Sequence, residues 1–190
     1  MGKLRGFLFA GLLMVFMVQS PLALAKSGKL STSSIKRFIK ETTQVTSGQH
    51  EDYGNVAAIT GYLQTHIADN GRFQSSVTFT MPGQDAQTQH MDLKKKDFMR
   101  YVIQSSQSLQ DYESKTRVLN SRISEDGKRA YVQTSGVERG VMPTPTNNGG
   151  VEFVPFEGTS NCQQIIKLSR KDVIQMYSAV CETDVEFSAP

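Results

Sequence analysis

Three histidines, two cysteines and a scatter of carboxylates are the residues of this 190-residue chain with usable chemistry. His66 and Asp69 stand three apart in a stretch with helical periodicity, and such residues share a helix face. A His–carboxylate pair there could serve as acid and base at the mouth of a pocket, because imidazole titrates near neutral pH. The plainer reading gives Asp69 a helix-ending role and leaves His66 as a half-exposed neighbour. His50-Glu51-Asp52 sets three metal-capable side chains in a row. Adjacent side chains rarely converge on one ion, and an acid at a helix start suits the helix dipole. No metal site and no cofactor are therefore assigned. His90 reads as a surface residue. The sequence has no Gly-x-Ser-x-Gly elbow for a serine nucleophile and no Gly-x-x-x-x-Gly-Lys phosphate loop. Lys94-Lys95-Lys96 reads as the solvated start of a helix, unfavourable to the dipole and only partly offset by Asp97. Catalysis has little to rest on.

Cys162 and Cys181 are too far apart in sequence for a Cys-x-x-Cys redox motif. With three scattered histidines they give no zinc-finger spacing either. Their environment turns on the first 25 residues. Lys3 and Arg5 precede twelve residues (7–18) that are apolar except for Gly11. Gln19-Ser20-Pro21 interrupts that run, and Leu22-Ala23-Leu24-Ala25 follows. This is the pattern of a secretory signal peptide, with cleavage expected between Ala25 and Lys26. A periplasmic or secreted location is expected, with no stable membrane anchor once the segment is removed; an uncleaved N-terminal anchor over residues 7–25 is the competing reading. In that oxidising environment a disulfide between the two cysteines is expected.

Whole-chain charge is 21 Lys+Arg against 18 Asp+Glu. Removing Lys3 and Arg5 leaves 19 against 18, so the basic pI belongs in part to the export signal. A near-neutral domain has no electrostatic footprint for nucleic acid. The remaining chain is polar, about one third apolar, and sized for one domain.

Hydropathy periodicity sets the elements that must position these residues. Residues 26–33 read as a flexible lead-in. Ile35, Phe38, Ile39 and Thr42 form a helical stripe, with Ser34 as N-cap and Gly48 as stop. Val56, Ile59, Leu63 and Ile67 form a second, ended by Asn70-Gly71. Residues 72–81 read as a strand and 87–92 as a short returning one. Residues 93–110 read as a helix with Phe98, Tyr101, Val102 and Leu109 on one face. The period then becomes two: 112–124 and 128–138 are strands around an Asp126-Gly127 turn. Residues 140–150 read as a loop, and 151–169 and 173–187 as a last hairpin. Centring that hairpin on Lys171-Asp172 pairs residues whose numbers sum to 343, which sets Cys162 opposite Cys181. The order α-α-β-β-α-β-β-β-β is α+β. A pocket between helices and sheet is the expected ligand site. Tyr62, Phe79, Tyr101, Tyr131 and Tyr177, with Phe153, are candidates to line it; ordinary core packing is the competing role.

This order, together with Tyr62-Leu63-Gln64-Thr65-His66-Ile67-Ala68-Asp69-Asn70-Gly71-Arg72-Phe73 and Asp92-Leu93-Lys94-Lys95-Lys96-Asp97-Phe98, resembles the NTF2-like superfamily, the SnoaL-like and ketosteroid-isomerase-like α+β cone. The resemblance covers residues 34–187 as a single domain. It implies N-terminal helices packed on a curved antiparallel sheet, and a homodimer formed through that sheet. Isomerase members of the superfamily carry an acidic base a few residues after the Ala-Asp. This chain has Gln74-Ser75-Ser76 there, which argues against that chemistry. Three readings follow. The first is an exported non-catalytic domain that binds a small apolar ligand or serves as a cell-envelope accessory module. The second is a SnoaL-like enzyme using His66 and Asp69. The third is a protein–protein interaction module using the sheet or the 140–150 loop.

Overall fold

The computed structural model describes residues 28–47, 55–145 and 149–188. The signal segment, the Ala25–Lys26 bond and His50-Glu51-Asp52 lie outside them. Helix α1 spans Thr32–Thr46 and starts earlier than its apolar stripe suggests, because its cap is Ser31, not Ser34. The Ser31 hydroxyl accepts from the Ser34 N–H at 3.1 Å, and the Ser34 hydroxyl accepts from the Ser31 N–H at 2.9 Å. Two donors left open at a helix start are thereby satisfied reciprocally. Leu30 of the expected lead-in is buried, and its N–H donates to the Gly127 carbonyl at 2.7 Å. That part of the lead-in is packed structure.

Helix α2, Val56–His66, is capped by the Asn55 side chain, which accepts from the Ala58 N–H. It ends one residue before Ile67, where strand β1 (Ile67–Thr80) begins. Asn70-Gly71 therefore lies inside a strand and does not terminate the helix. The β1 register slips between Ile67 and Arg72. Gly71 is needed there because a Cβ would sit 2.9 Å from the Ala68 carbonyl oxygen. Strand β2 is Gln87–Lys94 and helix α3 is Lys95–Ser108. Strands β3 (Gln110–Ile123), β4 (Arg129–Pro145), β5 (Val151–Leu168) and β6 (Ile174–Phe187) complete the chain. Most of the expected 140–150 loop is strand, because pairing between β4 and β5 continues out to Pro145 and Val151.

The six strands form one sheet in the order β2-β1-β6-β5-β4-β3. Every pairing is antiparallel except β1 with β6, which is parallel. With three helices on one face, this is the α+β arrangement that the NTF2-like resemblance implies. On the inner face two apolar clusters form. Ile35, Phe38, Leu63, Ile67, Val132, Ile166 and Ile174 centre the cluster beneath the helices. Val77, Phe156, Val185 and Phe187 centre the other, farther along the same strands.

The last hairpin follows the expected arithmetic. Pairs from Phe156↔Phe187 to Ile165↔Ser178 sum to 343, and from Ile166↔Met176 onward they sum to 342. Tyr177 is the extra residue, a β-bulge. Cys162 and Cys181 are directly paired and joined by a disulfide, with Cα atoms 4.1 Å apart.

Candidate functional site

His66 and Asp69 do not form a pair. The helix ends between them, so the shared face never forms. His66 is only 3% exposed, packed against Tyr62 with ring centroids 4.3 Å apart and against Phe38 at 5.8 Å. Its Nδ1–H donates to the Ile174 carbonyl at 2.8 Å. Burial lowers its pKa, and the bond to Ile174 only partly opposes that. His66 is thus a neutral core imidazole that pins the end of α2 to the start of β6, and not a half-exposed neighbour. The Asp69 side chain is 99% exposed and pairs with Lys95 at 2.8 Å, which lowers its pKa.

Lys95 explains part of the basic run. Its ammonium also donates to the Gln64 carbonyl at 2.9 Å, and Gln175 Nε2 donates to the Thr65 carbonyl at 2.8 Å. Carbonyls at a helix C-terminus lack partners within the helix and favour a cation. Lys95 therefore completes α2 while it begins α3.

The expected pocket aromatics disperse. Tyr62 is in the core beneath the helices, with its hydroxyl 2.8 Å from Thr42 Oγ1. Phe79 packs on the second cluster. Tyr101 is exposed on α3, because Phe98, Met99, Val102 and Ile103 are the residues of that helix turned to the core. Tyr131 lies on the outer face of the sheet, since its neighbours Ala130 and Val132 are buried inside. Phe153 is exposed near the β4–β5 tip. Tyr177 is displaced by the bulge and lies beneath Lys167.

Two polar arrangements were missed from sequence. On the inner face, Tyr112 donates to Glu138. Burial first, and then the Glu138 carboxylate, raise the Tyr112 pKa. Gly158, opposite Glu138, leaves room for it: a Cβ would sit 2.8 Å from Glu138 Oε1. The readable signal was the alternation Thr134, Gly136, Glu138, Gly140 along β4, with Gly158 facing it.

The other arrangement is an open groove of about 370 Å³ on the outer face, formed by β3 to β6. Its acidic side chains are Glu113, Glu157, Asp184 and Glu186, against two cations, Lys115 and Arg139. Arg139 bridges to Glu113 at 2.7 Å. Val137 in the lining and Val180 farther along β6 are large apolar residues about half exposed. The groove is acidic and open, and it stands on paired strands. It is not the apolar pocket between helices and sheet that the element order suggests. Among the described residues no three His, Cys, Asp or Glu side chains converge on a metal position. No described helix is long and apolar enough to cross a membrane.

No protein-family model and no curated protein matches this sequence. Solved structures similar to it include a conserved protein from Planctomyces limnophilus, at 14% identity, covering 80% of this chain and 95% of that one with a TM-score of 0.47. ActVI-ORFA from Streptomyces coelicolor is 11% identical over 77% and 92% of the two chains, with a TM-score of 0.46. A ketosteroid isomerase-like protein from Erwinia carotovora is 10% identical over 80% and 96%, with a TM-score of 0.35.

Proposed function

We propose that this chain is an exported accessory module of the cell envelope that works by binding a partner protein through the outer face of its sheet. The observation that carries this reading is the groove between β3 and β6. It is open and acidic, with exposed valines on the same face, so it suits a basic, partly apolar segment of another protein. Catalysis by His66 and Asp69 has lost its geometry, since one is a core residue and the other a surface ion pair. A small apolar ligand has less support: the aromatics expected to surround it are divided between two packed clusters, an exposed helix face and the outer sheet face. Export rests on residues 1–25 and agrees with a disulfide on two central strands.

The test begins with the full chain expressed in a bacterial host and recovered from the exported fraction. Intact mass reads both the new N-terminus and the loss of two hydrogens on disulfide formation. Lys26 as first residue supports export; a chain beginning at Met1 in the cytoplasm sinks it. A photo-crosslinking residue at Thr159, inside the groove, is compared with one at Lys36 on α1. An adduct of defined mass at Thr159 alone, lost with Glu157→Lys and Glu186→Lys, supports a partner in the groove. An adduct containing a second copy of the chain identifies that partner as itself. Equal labelling at both positions, or a retained small molecule with no adduct, overturns the reading.

A further inference from the structure

At the turn end of the outer face, far from the groove, β4 and β5 place like charges side by side. Arg129 is directly paired with Lys167. The Leu168 N–H donates to the Lys128 carbonyl at 2.9 Å, which makes Lys128 and Leu168 a hydrogen-bonded pair. The next pair, Arg129 with Lys167, is therefore of the non-hydrogen-bonded kind, in which side chains come closest. Like charges directly opposed across strands destabilise a sheet. Arg122 adds a third cation, since it is paired with Tyr131, two residues along β4 from Arg129 on the same face.

These cations are held in place. The Arg122 guanidinium lies 5.3 Å from the Tyr131 ring centroid, and Lys167 Nζ lies 3.0 Å from that of Tyr177. Cation–π contact of this kind fixes a cation without neutralising it. Among the described residues, none of the three meets a carboxylate at ion-pair distance, whereas neighbouring Lys128 pairs with Asp172 at 3.1 Å. Arg129 draws the Tyr131 phenol below its ordinary pKa, first through a hydrogen bond and then through its charge, with smaller contributions from Arg122 and Lys167.

We propose that Arg122, Arg129 and Lys167 form a binding site for a compact phosphate-bearing polyanion, with Tyr131 and Tyr177 holding the cations in position. Guanidinium groups meet phosphate oxygens with two parallel hydrogen bonds, and the Tyr131 hydroxyl is a further donor. A bound anion relieves the repulsion between Arg129 and Lys167. The ligand must be compact. An extended polyanion lying along the strands would run onto Glu157, Asp184 and Glu186 at the other end of the face.

The test is calorimetric titration of the mature chain with inorganic pyrophosphate at low salt, beside vesicles containing phosphatidic acid. Arg129→Gln/Lys167→Gln is compared with Lys36→Gln/Lys40→Gln, which removes the same charge from the exposed side of α1. We expect binding in at least one arm, weakened tenfold or more by the first double variant and unchanged by the second. The arm that binds distinguishes a free phosphate compound from a lipid headgroup. A thermal melt guards against misfolding: without anion, the first variant should melt at or above the wild type, because a repulsion has been removed. No binding in either arm, equal loss in both variants, or citrate binding as tightly as pyrophosphate overturns the proposal.

Discussion

Breaking the cross-link between β5 and β6 should lower stability by about 3 kcal/mol, and the structure says where that figure comes from. Cys162 and Cys181 close a loop with a sequence separation of 19. The chain-entropy relation gives about 11 cal/mol/K for a loop of that length, or about 3 kcal/mol at 25 °C. Register explains why the native state gains little beyond this. The two residues are already opposed by the ladder from Phe156↔Phe187 to Ile165↔Ser178, so the bond restrains the unfolded chain above all. Reduction of the wild type isolates the cross-link, because both sulfurs remain. Cys162→Ala/Cys181→Ala removes the sulfurs as well, and Cys181 packs against the core cluster beneath the helices, so the variant should lose slightly more. Urea unfolding followed by circular dichroism measures both. The slope with urea should steepen in each case, since an unrestrained chain exposes more surface. A loss under about 1 kcal/mol on full reduction would refute the entropic argument. It would mean that the hairpin persists in the unfolded ensemble.

Two further outcomes follow from the core. His66 has a folded pKa below its ordinary 6.5, so the unfolded chain takes up a proton first as pH falls. Stability present above pH 6.5 is then lost as pH drops through the window below it. The fall in urea midpoint between pH 7.5 and pH 5 should be smaller in His66→Gln, whose amide can still donate to Ile174; an equal fall contradicts the assignment. Phe38 is fully buried beside His66, and Phe38→Ala should cost about 3–5 kcal/mol in the same assay. A cost near 1 kcal/mol would show that α1 is loosely seated.

The legible parts of this fold were those that arithmetic can reach. A hairpin turn fixes a sum, and the sum carries every pair until a bulge intervenes. The last turn set the cysteines opposite each other, and the same arithmetic about Asp126-Gly127 holds in the structure at Arg122↔Tyr131. The α2–β1 boundary was illegible because Asn70-Gly71 has the local chemistry of a helix end, while tertiary pairing of β1 with β6 decided otherwise. Tyr131 could have been turned outward by parity, given Ala130 and Val132 as inward residues. Tyr177 could not, because nothing local announces its bulge. His66 and Asp69 share a face only on a helix continuous through both, and α2 ends at His66. The like charges of Arg129 and Lys167 required knowing how β4 meets β5, across the 140–150 stretch that reads as a loop.

The parallel pairing of β1 with β6 has a consequence for how the molecule comes into being. These adjacent interior strands are separated by nearly the whole domain, as Ile67↔Met176 shows. Contacts of such high sequence separation close late, after a large loop entropy has been met, and folds rich in them form slowly. During synthesis β1 can gain β2 as a partner, but its other edge stays open until the final strand emerges. His66 likewise waits for Ile174, 108 residues downstream, before its buried ring nitrogen has a partner. The domain therefore remains without a closed core until β6 has been made.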